Sequence, residues 1–316
     1  MAGRGASRVL RIEARAKLNL GLAVGPRRTD GYHELLTVFQ SITLADTLVV
    51  RRRRRGLSLA VRYEDAAVRR GRPRRVRAVP ASRGNLVLRA ARLVQQRLGL
   101  QGGAQFTLIK RIPVRSGLGG GSADAAAALL GMARVHGRRL SQTDRLALAE
   151  EIGSDVPFAA LGGTALGRGR GERLTRLRLR RPFRALIAAP SWGISTRAAY
   201  DQLDRRKYGL TGWRSHLRFG QHLEREGLTP ELALRLGNTF EEVLGDRRSD
   251  FLSLCERLVH AGAREPRLTG SGSAVFGILP PGTPSSTVVR RFSGSERLYL
   301  VRSARAGVRL ATSPHT

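Results

Sequence analysis

Between Lys110 and Val135 the chain reads KRIPVRSGLGGGSADAAAALLGMARV. Gly117, Gly119, Gly120 and Gly121 separate a strand-like lead, Gln105 to Ile112, from an alanine-rich stretch. Glycine and alanine lie far apart in helix propensity, so a sharp helix start is expected here. Ser122 is the natural N-cap, and Asp124 falls in the first turn, where the helix dipole favours negative charge. A glycine loop entering a helix N-terminus exposes backbone N–H groups with no side chains in the way, which is how proteins cradle phosphate. The loop is not of the Walker A type, because Gly121 is followed by Ser122 and Ala123 and not by Lys-Ser/Thr, and it lacks the register of a dinucleotide fingerprint. On these residues alone it fits a phosphate cradle or a plain strand-to-helix connection.

Other residues could act with it. Of the 57 basic residues only Lys17, Lys110 and Lys207 are lysine. In so arginine-rich a chain, a surviving lysine marks a place where a compact point charge is needed and the wider guanidinium fork will not serve. Lys17 lies in ARAKLNLGLAV, where Leu18, Leu20 and Leu22 alternate with Asn19, Gly21 and Ala23 in the period of a half-buried strand. Lys17 and Asn19 then share one face. GPRRTDGYHEL follows, with Asp30-Gly31 as a turn and Tyr32 and His33 directly after it.

The run P-x-x-x-G-L-G-G-G-S-A-D-A-A-A, Pro113 to Ala127, closely resembles the ATP loop of the GHMP kinases, which include galactose, homoserine and mevalonate kinases. AKLNL followed by DGYHEL is similar to the N-terminal signature of the branch that phosphorylates 4-diphosphocytidyl-2-C-methyl-D-erythritol, a precursor in non-mevalonate isoprenoid synthesis. The resemblance covers nearly the whole chain in order. It implies an α+β, two-domain GHMP kinase fold. Residues 1–178 would form an N-terminal ATP-binding domain of the ribosomal-protein-S5-domain-2-like type, and residues 179–316 a ferredoxin-like C-terminal domain. It implies ATP and Mg2+ as cofactors, with ATP held by Lys110, Pro113, Val114, Arg115, Ser116, Gly117, Leu118, Gly119, Gly120, Gly121, Ser122 and Ala123.

Further assignments rest on the same resemblance. GSDVPF matches the segment that carries the catalytic aspartate, here Asp155, which on residues alone is equally a turn or helix-cap aspartate. PSWGISTRAAY places Thr196 and Tyr200 four apart at a helix start, on one face. The resemblance assigns them, with Tyr32 and His33, to the cytidine end of the substrate: stacking on Tyr32 and Tyr200 and hydrogen bonds from His33; Asn19 is a further candidate for substrate binding. Tyr200 alone also fits helix packing. LTGSGSAVFGIL, Leu268 to Leu279, resembles the third GHMP motif, a turn beside the phosphates.

The chemistry follows from what phosphoryl transfer requires. Its transition state is loose, so the protein mainly positions the reactants and neutralises charge, and a carboxylate orients and deprotonates the attacking hydroxyl. Asp155 is the candidate base, with Lys17 stabilising the developing alkoxide. Asp124 or Ser122 could assist a metal, but the metal ligands and the oligomeric state are not legible in the sequence.

The elements that must position these residues are set by a chain of 316 residues with 41% hydrophobic content, enough for one large or two ordinary domains. The net charge of +33 admits a nucleic-acid-binding reading. Aromatics are only 5% and do not interleave with the basic runs, so a stacking platform for single strands is poorly supported. No apolar run reaches membrane-spanning length and no leader is evident, which makes a cytoplasmic enzyme the expectation. The single cysteine, Cys255, reads as a small buried hydrophobe. A strand is expected from Val9 and another from Leu44 to Val50. Basic hairpins should follow from Arg51 to about Arg83. Helices are expected at Asn85 to Leu98 and Ser141 to Ile152, a buried strand at Ala185 to Ala189, a polar loop from Asp201 to Gln221, helices from Asn238 and from Phe251 to Ala261, and a last strand near Leu298 before a disordered end. The rival readings are a GHMP kinase for another small alcohol and a basic nucleic-acid-binding protein on the same fold.

Overall fold

The computed structural model describes residues 9–69, 78–205 and 212–311. Two long antiparallel strands, β1 (Val9–Arg27) and β2 (His33–Arg53), form its spine. Their ladder slips between Arg15 and Lys17 and again between Asn19 and Gly21. Such bulges bend a strand and re-aim its side chains, and these two flank Lys17 and Asn19. The strand is not half-buried as its alternation suggests. Leu18 and Leu20 are fully buried on one side, and Lys17 and Asn19 are nearly so on the other.

β3 (Leu57–Tyr63), β4 (Gly103–Lys110), β5 (Thr164–Arg168) and β6 (Arg173–Arg176) extend this sheet, and β11 (Val308–Leu310) returns from the end of the chain to pair with β1. The order along the main path is β11-β1-β2-β4-β3, while β5 pairs with the other half of β2 and carries β6. The expected basic hairpin does not form. β3 runs parallel to β4 at the sheet edge and makes no hairpin with β2, because β4 already occupies that side of β2 from Thr47 to Arg53. Arg51 to Arg55, at the end of β2 and in the turn after it, are exposed. Residues 70–77 of the same expected region lie outside the described residues.

Helices α1 (Leu86–Arg97), α2 (Gly120–Val135), α3 (Gln142–Ile152) and α4 (Val156–Leu161) cover this sheet. Asn85 caps α1 by accepting from Val87 N, Ser141 caps α3 by accepting from Asp144 N, and α3 stops at Gly153, all as the sequence indicates. α2 is buried nearly all round, the condition of a helix with no polar face. A methyl group on Gly131 would come within 2.8 Å of both Val50 and Ile12, so alanine and glycine are what let α2 lie close to the sheet.

A second sheet, order β10-β7-β9-β8, is built from β7 (Arg184–Ala189), β8 (Arg264–Leu268), β9 (Val275–Leu279) and β10 (Arg297–Arg302). With it come α5 (Thr196–Arg205), α6 (Trp213–Glu226), α7 (Pro230–Leu234), α8 (Arg248–His260) and α9 (Ser285–Arg291), and a 3-10 helix at Thr239–Val243. The stretch from Asp201 to Gln221 is therefore largely helical and not a loop, apart from residues 206–211, outside the described set. Its pattern is a narrow stripe, Gly220 and Leu223 buried among arginines, and Trp213 lies flat against Gly25 of β1, 2.7 Å from where a Cβ would stand. The end from residue 312, expected to be disordered, and Lys207 also lie outside the described residues. Cys255 is partly buried and burial pushes its thiol up to about 12, which suits a packing role. No described helix is long and apolar enough to cross a membrane.

Candidate active site

Two glycine-bearing segments meet β1 at one place. The loop Pro113–Gly119 lies against β1 through Lys17 N donating to Leu118 O at 3.0 Å. It also lies against the turn between β8 and β9, where Ala274 N donates to Ser116 O at 3.0 Å. Contact there is backbone to backbone: a Cβ on Gly117, at φ +81°, would stand 2.0 Å from Thr269 O. Gly119, at φ +70°, caps α2, which begins at Gly120. Ser122 therefore lies inside the first turn and is not the N-cap, because the left-handed Gly119 makes the chain reversal three residues earlier than the serine could.

Lys17 sits in this junction, 7% exposed. Its ammonium donates to Asn19 Oδ1 and stands 3.5 Å from Asp155 Oδ2. Asn19 Nδ2 donates to Thr37 Oγ1 at 2.8 Å, and Thr37 Oγ1 donates to Gly21 O at 2.8 Å. The Asn19 amide oxygen thus holds the ammonium, and Thr37 holds the amide in turn. Asp155 occupies the cap position of α4, yet its side chain makes no capping bond and faces Lys17.

The two lysines of the motifs differ in surroundings. Lys110 ends β4 beneath the loop and donates to Asp46 of β2 and, at 2.7 Å, to Asp124 of α2. Burial alone would lower its pKa, but the two carboxylates raise it. Asp46 Oδ1 also accepts from Ile112 N at 2.9 Å and from Arg111 N. Asp124 is buried, its Oδ1 has no partner among the described residues, and burial holds its carboxyl well above the usual range. These three groups tie the strand before the loop to the helix after it.

Two cavities open at the junction. One, of about 280 Å³, is lined by Lys110, by the loop from Pro113 to Ser122, Val114 included, and by Asp124. Ala123 is buried just behind it in the first turn of α2. The other, of about 1060 Å³, is lined by Lys17, Asn19, Tyr32, His33, Asp155, Thr196 and Tyr200 among others. Arg115, Gly117 and Gly119 line both. All seven residues expected to serve catalysis and substrate binding thus face one space.

Its far wall is aromatic. The His33 ring stacks on Tyr200 at 5.4 Å, and Tyr200 meets Phe240 edge-on at 5.1 Å. Burial, and after it the Asp155 carboxylate, holds the Tyr200 phenol well above its ordinary pKa. The His33 ring, expected to hydrogen-bond the base, has Nδ1 3.0 Å from Gly25 O; its Nε2 stands 3.0 Å from Asp204 Oδ1 but makes no hydrogen bond among the described residues. Tyr32 is 54% exposed at the mouth, with the Arg170 guanidinium 5.0 Å from its ring centroid. Thr196 Oγ1 and Ser271 Oγ are 2.7 Å apart, joining α5 to the β8–β9 turn.

Sequence reasoning missed Asp46, Arg170 and Asp204. An acid inside the apolar run of β2 and an arginine between Gly169 and Gly171 were visible signals. Asp204 had none, since only the packing of α5 brings it to His33.

Among the described residues no cluster of three or more histidine, cysteine or carboxylate groups could hold a metal. The Lys110 ammonium holds Asp124 Oδ2, while Oδ1 is without a partner among the described residues. The Ser122 hydroxyl at the loop cavity is a compatible oxygen.

Comparison with known proteins agrees with this geometry. Residues 85–163 match the GHMP kinases N terminal domain. A 4-diphosphocytidyl-2-C-methyl-D-erythritol kinase of Pelotomaculum thermopropionicum is 38% identical over 294 residues, 93% of this chain and 97% of that protein. Its namesake from Nocardia farcinica is 35% identical over 294 residues, 93% and 92% of the two chains. The crystal structure of a 4-(cytidine 5'-diphospho)-2C-methyl-D-erythritol kinase superposes with a TM-score of 0.67 at 32% identity, over 93% of this chain and 99% of that one. A homoserine kinase from Cytophaga hutchinsonii gives a TM-score of 0.68 at 16% identity over 98% and 100% of the chains, a likeness of fold.

Proposed function

This chain belongs to the 4-diphosphocytidyl-2-C-methyl-D-erythritol kinases, within the GHMP kinases, and from that premise we infer that it transfers the terminal phosphoryl group of ATP to the 2-hydroxyl of 4-diphosphocytidyl-2-C-methyl-D-erythritol. The observation that carries the reading is the junction of the two cavities at Arg115, Gly117 and Gly119, with Lys17 and Asp155 on the acceptor side of it. A donor phosphate held on one side then faces an alcohol held on the other, which is the positioning that phosphoryl transfer depends on.

In this reading the ATP phosphates lie against the N–H groups of the loop and the start of α2. Magnesium would be carried mainly by the nucleotide's own phosphates, with the Ser122 hydroxyl as an added oxygen, and would neutralise phosphate charge. Asp155 takes the proton of the acceptor hydroxyl as its oxygen bonds to the terminal phosphorus, the bond to the bridging oxygen breaks, and ADP leaves. Lys17 stabilises the oxygen anion that forms, and Asn19 and Thr37 fix its ammonium. The cytosine lies at the aromatic wall, between Tyr32 and the His33–Tyr200 stack, near Thr196. Arg170, above Tyr32, faces the substrate's diphosphate. The Lys110 cluster sets the loop's position from below. The domain division falls near residue 179, where the chain leaves the first sheet for the second.

A coupled ADP-release assay tests this, comparing the cytidylyl substrate with homoserine and mevalonate. Turnover confined to the cytidylyl compound is expected. Faster phosphorylation of either other alcohol would assign the aromatic wall to another ligand. Absent ATP turnover, together with nucleic-acid affinity that falls steeply with salt, would favour the basic binding protein instead.

A further inference from the structure

The second sheet carries another cavity at its opposite end. The glycine turn of the catalytic cleft joins the end of β8 to the start of β9, whereas this cavity, of about 380 Å³, lies where β8 begins and β9 ends, beside the start of β7 and under α7. Its size falls in the range of small-molecule sites, roughly 300 to 1,000 Å³. Its floor is apolar and solid: Phe183, Leu234, Ile278 and Leu279 are all buried.

The rim is charged, and unevenly. Arg181, Arg184, Arg264 and Arg302 line it against Glu231 and Glu265, so four positive and two negative groups leave a formal excess of two positive charges. Two of the arginines are engaged within the protein. Arg181 pairs with Glu231 at 2.7 Å, and Arg184 donates to Thr283 O at 2.6 Å and to Ser285 Oγ at 2.8 Å. Arg264 and Arg302 are exposed and make no ion pair among the described residues. At the lip the ladder of β8 slips between Arg264 and Arg267, and Glu265 takes a left-handed backbone, φ 47°. A carboxylate residue rarely adopts that conformation, and an unbroken strand would not contain it. The distortion parts Arg264 from the regular strand at the mouth of the cavity.

An apolar floor beneath two unpaired arginines suits an amphipathic anion. A guanidinium fork matches phosphate oxygens with two parallel hydrogen bonds, and a phosphate monoester at neutral pH carries close to the two negative charges that the rim lacks. We propose that this cavity is a second ligand site, separate from the catalytic cleft, for a small phosphate monoester with an apolar body: the phosphate between Arg264 and Arg302, the hydrocarbon on Phe183, Leu234 and Ile278.

Calorimetric titration of the full chain with n-octyl phosphate tests it, with saturating ADP present so that the glycine loop is occupied, and with n-octanol and inorganic phosphate as separate probes. Octyl phosphate should bind one per chain and at least about tenfold more tightly than either half of it. The double variant Arg264→Ser, Arg302→Ser should weaken that binding by about tenfold or more, while kcat and the KM for ATP stay unchanged; both side chains are exposed, and thermal unfolding verifies the fold. The proposal is overturned if octyl phosphate does not bind the native chain, if inorganic phosphate or octanol binds as well as it does, or if the double variant binds it normally.

Discussion

Replacing Lys17 by arginine keeps the charge and changes only its shape. The lysine stem already fills its slot. A methyl group on Gly119 would come within 2.9 Å of Lys17 Cγ, the ammonium is held by Asn19, and the Phe39 ring centre lies 5.6 Å from it. A guanidinium is flat, wider and directed along a fork, and a side chain 7% exposed has only the cleft beside Asp155 into which to move it. The charge is thereby displaced from the point 3.5 Å from Asp155. Two unit charges at that separation attract by about 5 kcal/mol at an effective dielectric near 20, which is a ceiling because water reaches the carboxylate. Removal of one pre-organised donor to a developing oxygen anion typically costs about 3 to 4 kcal/mol, or roughly 10² to 10³ in turnover. Lys17→Arg is therefore expected to lower kcat by about 10², and Lys17→Met by about 10³, with the KM for ATP changed by less than about threefold. ADP release at saturating substrates measures this, with thermal unfolding recorded on the same samples. A Lys17→Arg enzyme retaining a third or more of the native kcat would refute the argument from shape.

Asp155→Asn should lower kcat by about 10² to 10⁴, the usual contribution of a positioned base, while the dissociation constant for ATP is unchanged by equilibrium titration; near-native turnover removes Asp155 from that role. Tyr32→Ala should raise the KM for the cytidylyl substrate by about tenfold, within the roughly 1 to 3 kcal/mol of a base stacked on a ring, and leave the KM for ATP alone. The reverse pattern would mean that the two cavities are assigned the wrong way round. Gly117→Ala forces a Cβ to within 2.0 Å of Thr269 O at a left-handed φ, so ATP should bind at least about tenfold more weakly, since the strain alone is worth roughly 1 to 2 kcal/mol; unchanged ATP affinity would show that the loop and the β8–β9 turn are not in contact. For Asp124 the sign follows from its raised pKa. The folded chain holds that proton more tightly than the unfolded chain, so the associated stability is complete below the ordinary carboxyl range and fades as pH rises through the folded value. Asp124→Asn, neutral throughout, should gain in Tm relative to the native chain as pH increases, and a Tm difference constant with pH would contradict it.

The glycine loop, the helix after it, and the caps at Asn85 and Ser141 were legible because each rests on local preference: glycine for left-handed backbone, alanine for helix, a side-chain oxygen at a helix start. The candidate site residues were legible for a related reason, since short motifs carry the residue types that the chemistry needs. Other features depended on neighbours far away in the chain. Leucines alternating in β1 suggested one wet face, but the second sheet and the loop cover both sides. β3 was expected to fold back on β2 and instead found β4, because the choice of partner depends on which strand edge is already taken. The α6 stripe was too thin to stand out among arginines until β1 was there to receive Trp213.

By itself the sequence determined the chemical groups and their local conformations, because these depend on side-chain type and on neighbours a few residues away. Only the tertiary structure decided that Lys17, Asp155 and Gly119 converge, that Lys110 is shared by Asp46 and Asp124, and that His33 lies beside Asp204. Those contacts join residues up to 171 positions apart in the chain, as His33 and Asp204 are. Burial and strand pairing fix them together, and no local preference specifies such a pair.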